Sequence, residues 1–192
     1  MIKAVIFDCF GVLYNNPKSH LFNLVPEDAY DTLNDLCKQA DYGYISGRDF
    51  TQSVARLAGV SPEELDRLMD NLYVRNDPLF EWIQVVKQQF KIGLLSNVGD
   101  DLIDKLFTSN EQTSYFDAVV TSSTVGIVKP AQEIYELVAN KLGVLVGECL
   151  FIDDVQSNVD GAKKAGMRAV LFRTNTQLEQ DWSSMIGEDS NA

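Results

Sequence analysis

Five short stretches of this chain are apolar from end to end: Ala4-Val-Ile-Phe7, Ile92-Gly-Leu-Leu95, Ala118-Val-Val120, Cys149-Leu-Phe-Ile152 and Ala169-Val-Leu-Phe172. A strand with one face in water alternates apolar and polar residues, whereas a strand covered on both faces has no need to. The later runs are separated by helical spacing of apolar residues at 101–107, 131–142 and 156–165. Buried strands alternating with amphipathic helices predict a parallel sheet with helices on both sides, a doubly wound α/β fold of the Rossmann-like kind.

The segment between the first and second runs breaks that alternation. Apolar residues recur at helical spacing in Ala29, Leu33, Leu36, Cys37 and Ala40, then in Phe50, Val54, Leu57 and Ala58, then in Leu65, Leu68, Met69 and Leu72. Three successive helices are therefore expected between residues 27 and 75. The third has a readable start, with Ser61 as N-cap, Pro62 in the first turn and Glu64 three residues after the cap. Asp77-Pro78 opens another helix with Leu79, Ile83, Val86 and Phe90 on one face. The block reads as a small helical cap, residues 15–75, inserted into an α/β core of residues 1–14 and 76–192. The polar tail 187–192 is expected to fray.

Composition excludes several classes of partner. With 16 basic and 28 acidic residues the formal charge is −12, so the average surface repels nucleic acid and anionic membranes. An anionic substrate needs a local cationic site. Cys9, Cys37 and Cys149 are odd in number, widely spaced and set among apolar neighbours, which predicts buried free thiols and a cytoplasmic protein rather than a disulfide or metal framework. No apolar run approaches the length of a membrane span, and the first is cut by Asp8 too early for a signal-peptide core.

Ligands of open parallel sheets bind beyond the carboxyl ends of the strands. Asp8 follows the first run, Ser96-Asn97 the second, Thr121-Ser122-Ser123 the third and Asp153-Asp154 the fourth. Any one of these is ordinary loop polarity. Carboxylates delivered by two separate strands to one edge, however, repel each other unless a cation lies between them. Lys129 precedes Pro130, which suits the first turn of the 131–142 helix. A cation beside the positive end of a helix is poor dipole complementation and makes sense where both face an anion.

Asp8-x-Phe10-Gly11-Val12-Leu13, Leu94-Leu95-Ser96-Asn97, Gly126-Ile127-Val128-Lys129-Pro130, and Phe151-Ile152-Asp153-Asp154 followed by Asn158, Gly161, Ala162 and Gly166 together resemble the four ordered motifs of the haloacid dehalogenase superfamily. The resemblance runs from residue 4 to about residue 172, and the inserted helices match the family's small cap between its first and second motifs. It implies a Mg²⁺-dependent phosphatase. Asp8 is then the nucleophile that forms an aspartyl-phosphate, and Mg²⁺ is held by Asp8, the backbone carbonyl of Phe10 and Asp154. Ser96, Asn97 and Lys129 bind the phosphoryl group, while Asp153 and Asn158 orient the metal's surroundings. For Asp153 a loop cap is an equal reading. Ser157 and Asp160 have the spacing of a capping box for the following helix.

Phe10 departs from the pattern. Phosphatases of the family usually carry a second aspartate there, as general acid and base, and general acid–base help is typically worth about 10²–10⁴-fold. The metal position survives, because that residue contributes its carbonyl. An aromatic residue there also resembles the family's 2-haloacid dehalogenases, which attack carbon without metal. Asp153-Asp154 and the absence of any arginine before Arg48 count against that reading. A third is a non-catalytic domain that binds a phosphorylated ligand or a protein. The phosphatase reading implies a small phosphorylated metabolite, such as a sugar phosphate, as substrate; the sequence carries no signal of oligomeric state. His20 reads as an exposed loop residue in the linker to the cap, Trp82 and Trp182 as packing residues, and Asn15 and Asn16 as turn formers or residues of the site entrance. Tyr42-Gly43-Tyr44 lies between cap helices.

Overall fold

Strand β1 (Ala4–Phe7) is the centre of a five-stranded sheet in a computed structural model that describes residues 1–99 and 101–187. With β2 (Lys91–Ser96), β3 (Ala118–Thr121), β4 (Cys149–Asp153) and β5 (Arg168–Leu171) the order is β3-β2-β1-β4-β5, and every neighbouring pair is parallel. The five apolar runs thus become the five strands. Register fixes the site: Phe7 pairs with Leu94 on one side and Ile152 on the other, so the chain leaves β1 at Asp8 level with Leu95 and Asp153.

Successive side chains of β1 point to opposite faces. Val5 and Phe7 join one core with Leu94, Ile152 and Ile83, and Ala4 and Ile6 join the other with Leu95, Phe151 and Tyr135. The first core is covered by α5 (Asp77–Val86), α6 (Leu102–Leu106) and α11 (Asn175–Gly187); the second by α9 (Gln132–Leu142) and α10 (Gln156–Ala165). Phe7 is fully buried, so truncating it to alanine costs about 3–5 kcal/mol. Trp82 meets Trp182 edge-on at 4.8 Å, tying α5 to α11, so both tryptophans are packing residues. Of the polar tail, Gly187 ends α11 and residues 188–192 lie outside the described residues.

Four helices, α1 (Lys18–Leu24), α2 (Tyr30–Asp41), α3 (Gly47–Ala58) and α4 (Pro62–Asp70), form a hydrophobic cluster of their own around Leu21, Leu33, Cys37, Val54 and Leu65. Helix α1 was not expected, and His20 is an exposed residue on it rather than in a loop. Its seven residues have no side-chain cap, and the helix is held by Leu21 docking into this cluster rather than by a local start signal. The two chain crossings between this insertion and the sheet pair with each other. Tyr14 bridges Arg75, the Asn15 amide donates to Val74 O at 3.0 Å, and the Val74 amide donates to Asn15 Oδ1 at 2.7 Å.

Two further short α-helices lie among the described residues, α7 (Ser109–Tyr115) and α8 (Ser122–Val125). Helix α7 was also unforeseen, although Thr108 and Glu111 form a complete capping box that the sequence displays as Thr-x-x-Glu. Two helix starts differ from expectation. Helix α9 begins at Gln132 with Ala131 at its N-cap, so Pro130 stands outside the helix rather than in its first turn. Helix α10 begins at Gln156 with Val155 as cap, and Asp160 accepts from Gln156 Nε2 at 2.8 Å, so Ser157 and Asp160 form no capping box.

Candidate active site

The ends of β1 and β4 and the loop before α9 converge on one ammonium group. Lys129 Nζ lies 2.8 Å from Asp8 Oδ1 and 2.7 Å from Asp153 Oδ2, and donates to Leu95 O at 3.1 Å. All three charged groups are buried. Asp8 Oδ1 also accepts from the Cys9 amide at 2.7 Å. Asp153 is saturated: its oxygens take the Lys129 ammonium, the Val155 amide at 2.8 Å and Asn158 Nδ2 at 3.1 Å, so it also clamps the turn into α10. Asn158 in turn accepts, through its backbone carbonyl, from Tyr135 Oη at 2.8 Å.

Asn97 is turned differently from the reading above. Its Oδ1 accepts from the Lys129 amide at 2.8 Å and its Nδ2 donates to Lys129 O at 3.0 Å. Both ends of the amide therefore fix the backbone that aims Lys129. Ser96 Oγ and Asp154 Oδ1, by contrast, are buried polar atoms without a hydrogen-bond partner among the described residues. Each such atom costs roughly 1–3 kcal/mol if nothing meets it, which marks these two as the atoms that await a ligand. Gly11 permits the position of Asp154: its φ is +87°, and a Cβ there would stand 2.1 Å from Asp154 Oδ2.

Carboxylate oxygens of Asp8, Asp153 and Asp154 all lie within 4.8 Å of one another. Three carboxyl groups thus face one ammonium. Burial, reinforced by Asp153 and opposed by Lys129, pushes the Asp8 carboxyl up to about 7. Burial and Asp153 also raise Asp154. Burial pulls the Lys129 ammonium down, but Asp8 and Asp153 outweigh it and the net shift is upward. A divalent cation relieves this excess of negative charge, and an all-oxygen donor set with a free Asp154 oxygen suits a hard ion such as Mg²⁺. The residues present fit such an ion. The Phe10 carbonyl takes part in none of the turn hydrogen bonds of the 9–14 loop, which run to Cys9 O and Tyr14 O.

These groups open into a cavity of about 540 Å³ between the strand ends and helices α1 to α4. The half-buried Phe10 ring lies against Tyr73, centroids 6.0 Å apart. Asn16 lines the entrance and accepts from the Lys18 amide at 3.0 Å, whereas Asn15 ties the two crossings together. The third strand contributes nothing to the cavity, contrary to expectation. Ser122 is buried and accepts from the Val98 amide at 3.0 Å, and Thr121 pairs with Thr124. Tyr42 and Tyr44 stack on each other at 5.4 Å outside the lining, and Gly43 packs on the core, where a Cβ would come 2.4 Å from Ser123 O. Arg48, from the first turn of α3, does line the cavity, so its late place in the sequence is no argument against an arginine at the site. Sequence reasoning also missed Lys18 and Asp41. Neither lies in a motif, and only the packing of α1 and α2 over the strand ends brings them in.

A family model for the haloacid dehalogenase-like hydrolases matches residues 2–166. The chain belongs to that family. Among haloacid dehalogenase-like relatives, a phosphatase of Mycobacterium tuberculosis is 24% identical over 199 residues, covering 74% of this chain and 91% of its own. An (S)-2-haloacid dehalogenase of Xanthobacter autotrophicus is 28% identical over 189 residues, covering 86% of this chain and 73% of its own. A family enzyme of Bacteroides thetaiotaomicron, solved with magnesium and inorganic phosphate, superposes with a TM-score of 0.77 at 20% identity, covering 96% of this chain and 99% of that one. That likeness confirms the fold. Family membership makes the chain a hydrolase; relatives of both phosphatase and dehalogenase type leave the substrate to be argued from the site.

Proposed function

We propose that this hydrolase is a Mg²⁺-dependent phosphatase acting on small phosphomonoesters through an aspartyl-phosphate on Asp8. The observation that carries it is the buried Asp154 Oδ1, without a hydrogen-bond partner among the described residues, in a group of three carboxylates around one ammonium. A metal-free dehalogenase taking an anionic 2-haloacid has no use for that excess of negative charge. Asp8, the Phe10 carbonyl and Asp154 would hold Mg²⁺, which would supply the charge that screens the carboxylate–phosphate repulsion. Ser96 Oγ donates to a phosphoryl oxygen, Lys129 offsets charge on Asp8 and the transferring group, and Asn97 holds Lys129 in place. Asp153 and Asn158 brace the metal-bearing loop. The helical insertion, residues 15–75, acts as a cap over a core of residues 1–14 and 76–192 and selects the leaving group.

The substrate is a small phosphorylated metabolite rather than nucleic acid or a membrane, in keeping with the charge of −12. Among the described residues no helix is long and apolar enough to cross a membrane, and three buried free cysteines support a cytoplasmic setting. Phe10 and Arg48 favour the dehalogenase as the second reading. One assay separates the two: phosphate release from 4-nitrophenyl phosphate and halide release from a 2-haloacid, with and without Mg²⁺, in wild type and Asp8→Asn. Phosphate release that needs both Mg²⁺ and Asp8 is expected. Halide release indifferent to Mg²⁺ overturns the proposal, and absence of both products points to a binding domain.

A further inference from the structure

Phe10 leaves the site without the proton donor that an alcohol leaving group needs, and the cavity itself supplies a candidate. Of the carboxyl groups that line it, Asp8 and Asp154 belong to the phosphoryl and cation end. Asp66 lies 3.6 Å from the Lys105 ammonium, and Asp101 is exposed to solvent. Asp41 differs from both. It is half-buried, and among the described residues no hydrogen bond or ion pair engages its carboxyl.

Its place is rigidly set. Asp41 is the last residue of α2, and the residues on either side of it dock on the core. Ala40 packs on the loop after β2, where a Cβ on Gly99 would lie 3.3 Å from the Ala40 methyl, and Gly43 rests on Ser123 O. We propose that Asp41, delivered by the helical insertion, is the general acid and base of the reaction, taking over the task that Phe10 cannot perform. This rests on the phosphatase reading above.

The chemistry balances. As an Asp8 oxygen bonds to phosphorus, the bond from phosphorus to the leaving oxygen breaks, that oxygen keeps the electron pair, and the Asp41 carboxylic acid gives it a proton, yielding the alcohol and the Asp41 carboxylate. In the second half, water attacks the phosphorus of the aspartyl-phosphate while Asp41 takes its proton. The bond to Asp8 breaks, and inorganic phosphate, the Asp8 carboxylate and the Asp41 acid result. Burial holds the Asp41 carboxyl above its ordinary value, opposed by Lys18 on α1 and Lys129 beneath Asp8. The negative end of the twelve-residue α2 dipole also favours the protonated form. Cys37 stands a turn earlier on α2, and Arg48 faces the same cavity from α3.

The test compares kcat/KM, which reports steps up to expulsion of the leaving group, for benzyl phosphate and 4-nitrophenyl phosphate in the presence of Mg²⁺. Nitrophenolate leaves without a proton; benzyl alcohol does not. Asp41→Asn is expected to lower kcat/KM for benzyl phosphate by about 10²–10⁴-fold and for the aryl ester by less than about tenfold. It should also abolish the fall of the benzyl phosphate pH profile on its basic side. Phe10→Asp added to Asp41→Asn is expected to restore at least tenfold of the loss. Equal losses on the two esters, no loss on either, or a wild type that cleaves only the aryl ester overturns the assignment of Asp41. A wild type that releases phosphate from neither ester overturns the phosphatase reading itself.

Discussion

Lys129 Nζ sits 2.8 Å from Asp8 Oδ1 and 2.7 Å from Asp153 Oδ2, so carboxylates from two adjacent strand ends share a single buried ammonium. Removing one member of a buried, hydrogen-bonded charge cluster leaves the others uncompensated, which typically costs about 3–5 kcal/mol. Lys129→Met is therefore expected to lose that much stability at pH 8 in urea denaturation, along with catalytic activity. The pH dependence has a definite sign. Burial already holds the Asp8 carboxyl up to about 7 against the pull of Lys129, and without the ammonium that pull is gone, so the charged form of Asp8 destabilises the fold as pH rises and protonation relieves this as pH falls. The deficit against wild type should shrink between pH 8 and pH 5, and a deficit independent of pH would show that lost packing, not charge, is the cause.

Gly11 makes a prediction about the cation site that does not touch a charged group. Its positive φ and the 2.1 Å that would separate a Cβ at this position from Asp154 Oδ2 leave no room for a methyl group. Gly11→Ala adds backbone strain of about 1–3 kcal/mol and displaces the Asp154 carboxylate. Calorimetric titration is expected to show Mg²⁺ affinity lowered at least tenfold while the far-ultraviolet circular dichroism is retained. Unchanged affinity would mean that Asp154 holds no ion.

What the sequence made legible follows from how local each signal is. Strands covered on both faces announce themselves as solid apolar runs, so all five are readable, and the polar residues at their ends place Asp8 and Asp153 at one edge. Helix α1 was hidden because its seven residues are too few for periodicity and its support is tertiary. Side-chain direction was hidden too. Nothing in Ser96-Asn97 says that Asn97 folds onto the Lys129 backbone while Ser96 Oγ is left free, and nothing in Asp41 says that α2 ends over the cavity. Residue types at strand ends reveal a chemistry, whereas contacts between segments distant in sequence decide which atoms perform it.

Arg75 fixes the second crossing to the core. Its guanidinium donates to Glu111 Oε1 at 2.8 Å and to Tyr115 Oη at 3.0 Å, and lies 4.0 Å from the centre of the Phe80 ring. The Arg75 hydrogen bond, followed by those from Thr108, lowers the Glu111 carboxyl from 4.5 to about 2. A depressed folded-state pKa gives stability that is fully present above the unfolded value and is lost as pH falls from about 4.5 towards about 2. Glu111 keeps a third of its side chain in solvent, and after screening the contribution is about 1 kcal/mol. Glu111→Gln is expected to lose about that much at pH 7 and to match wild type near pH 2. Equal deficits at both pH values would assign the effect to the capping box rather than the ion pair.

Asp154→Asn separates metal binding from folding. The Asp154 carboxyl is raised by burial and by Asp153, so the charge is a burden to the metal-free protein, and its removal should leave that protein at least as stable as wild type. Binding to the native state alone stabilises by about 2.7 kcal/mol at a hundredfold excess over Kd, and for a domain of this size each kcal/mol moves Tm by about 2–4 °C. Saturating Mg²⁺ is therefore expected to raise the wild-type Tm by about 5–10 °C and to leave Asp154→Asn unmoved. Because the readout is thermal, it holds whatever substrate the enzyme takes. An equal rise in both proteins would place the ion elsewhere, and no rise in either would remove the cation from the site altogether.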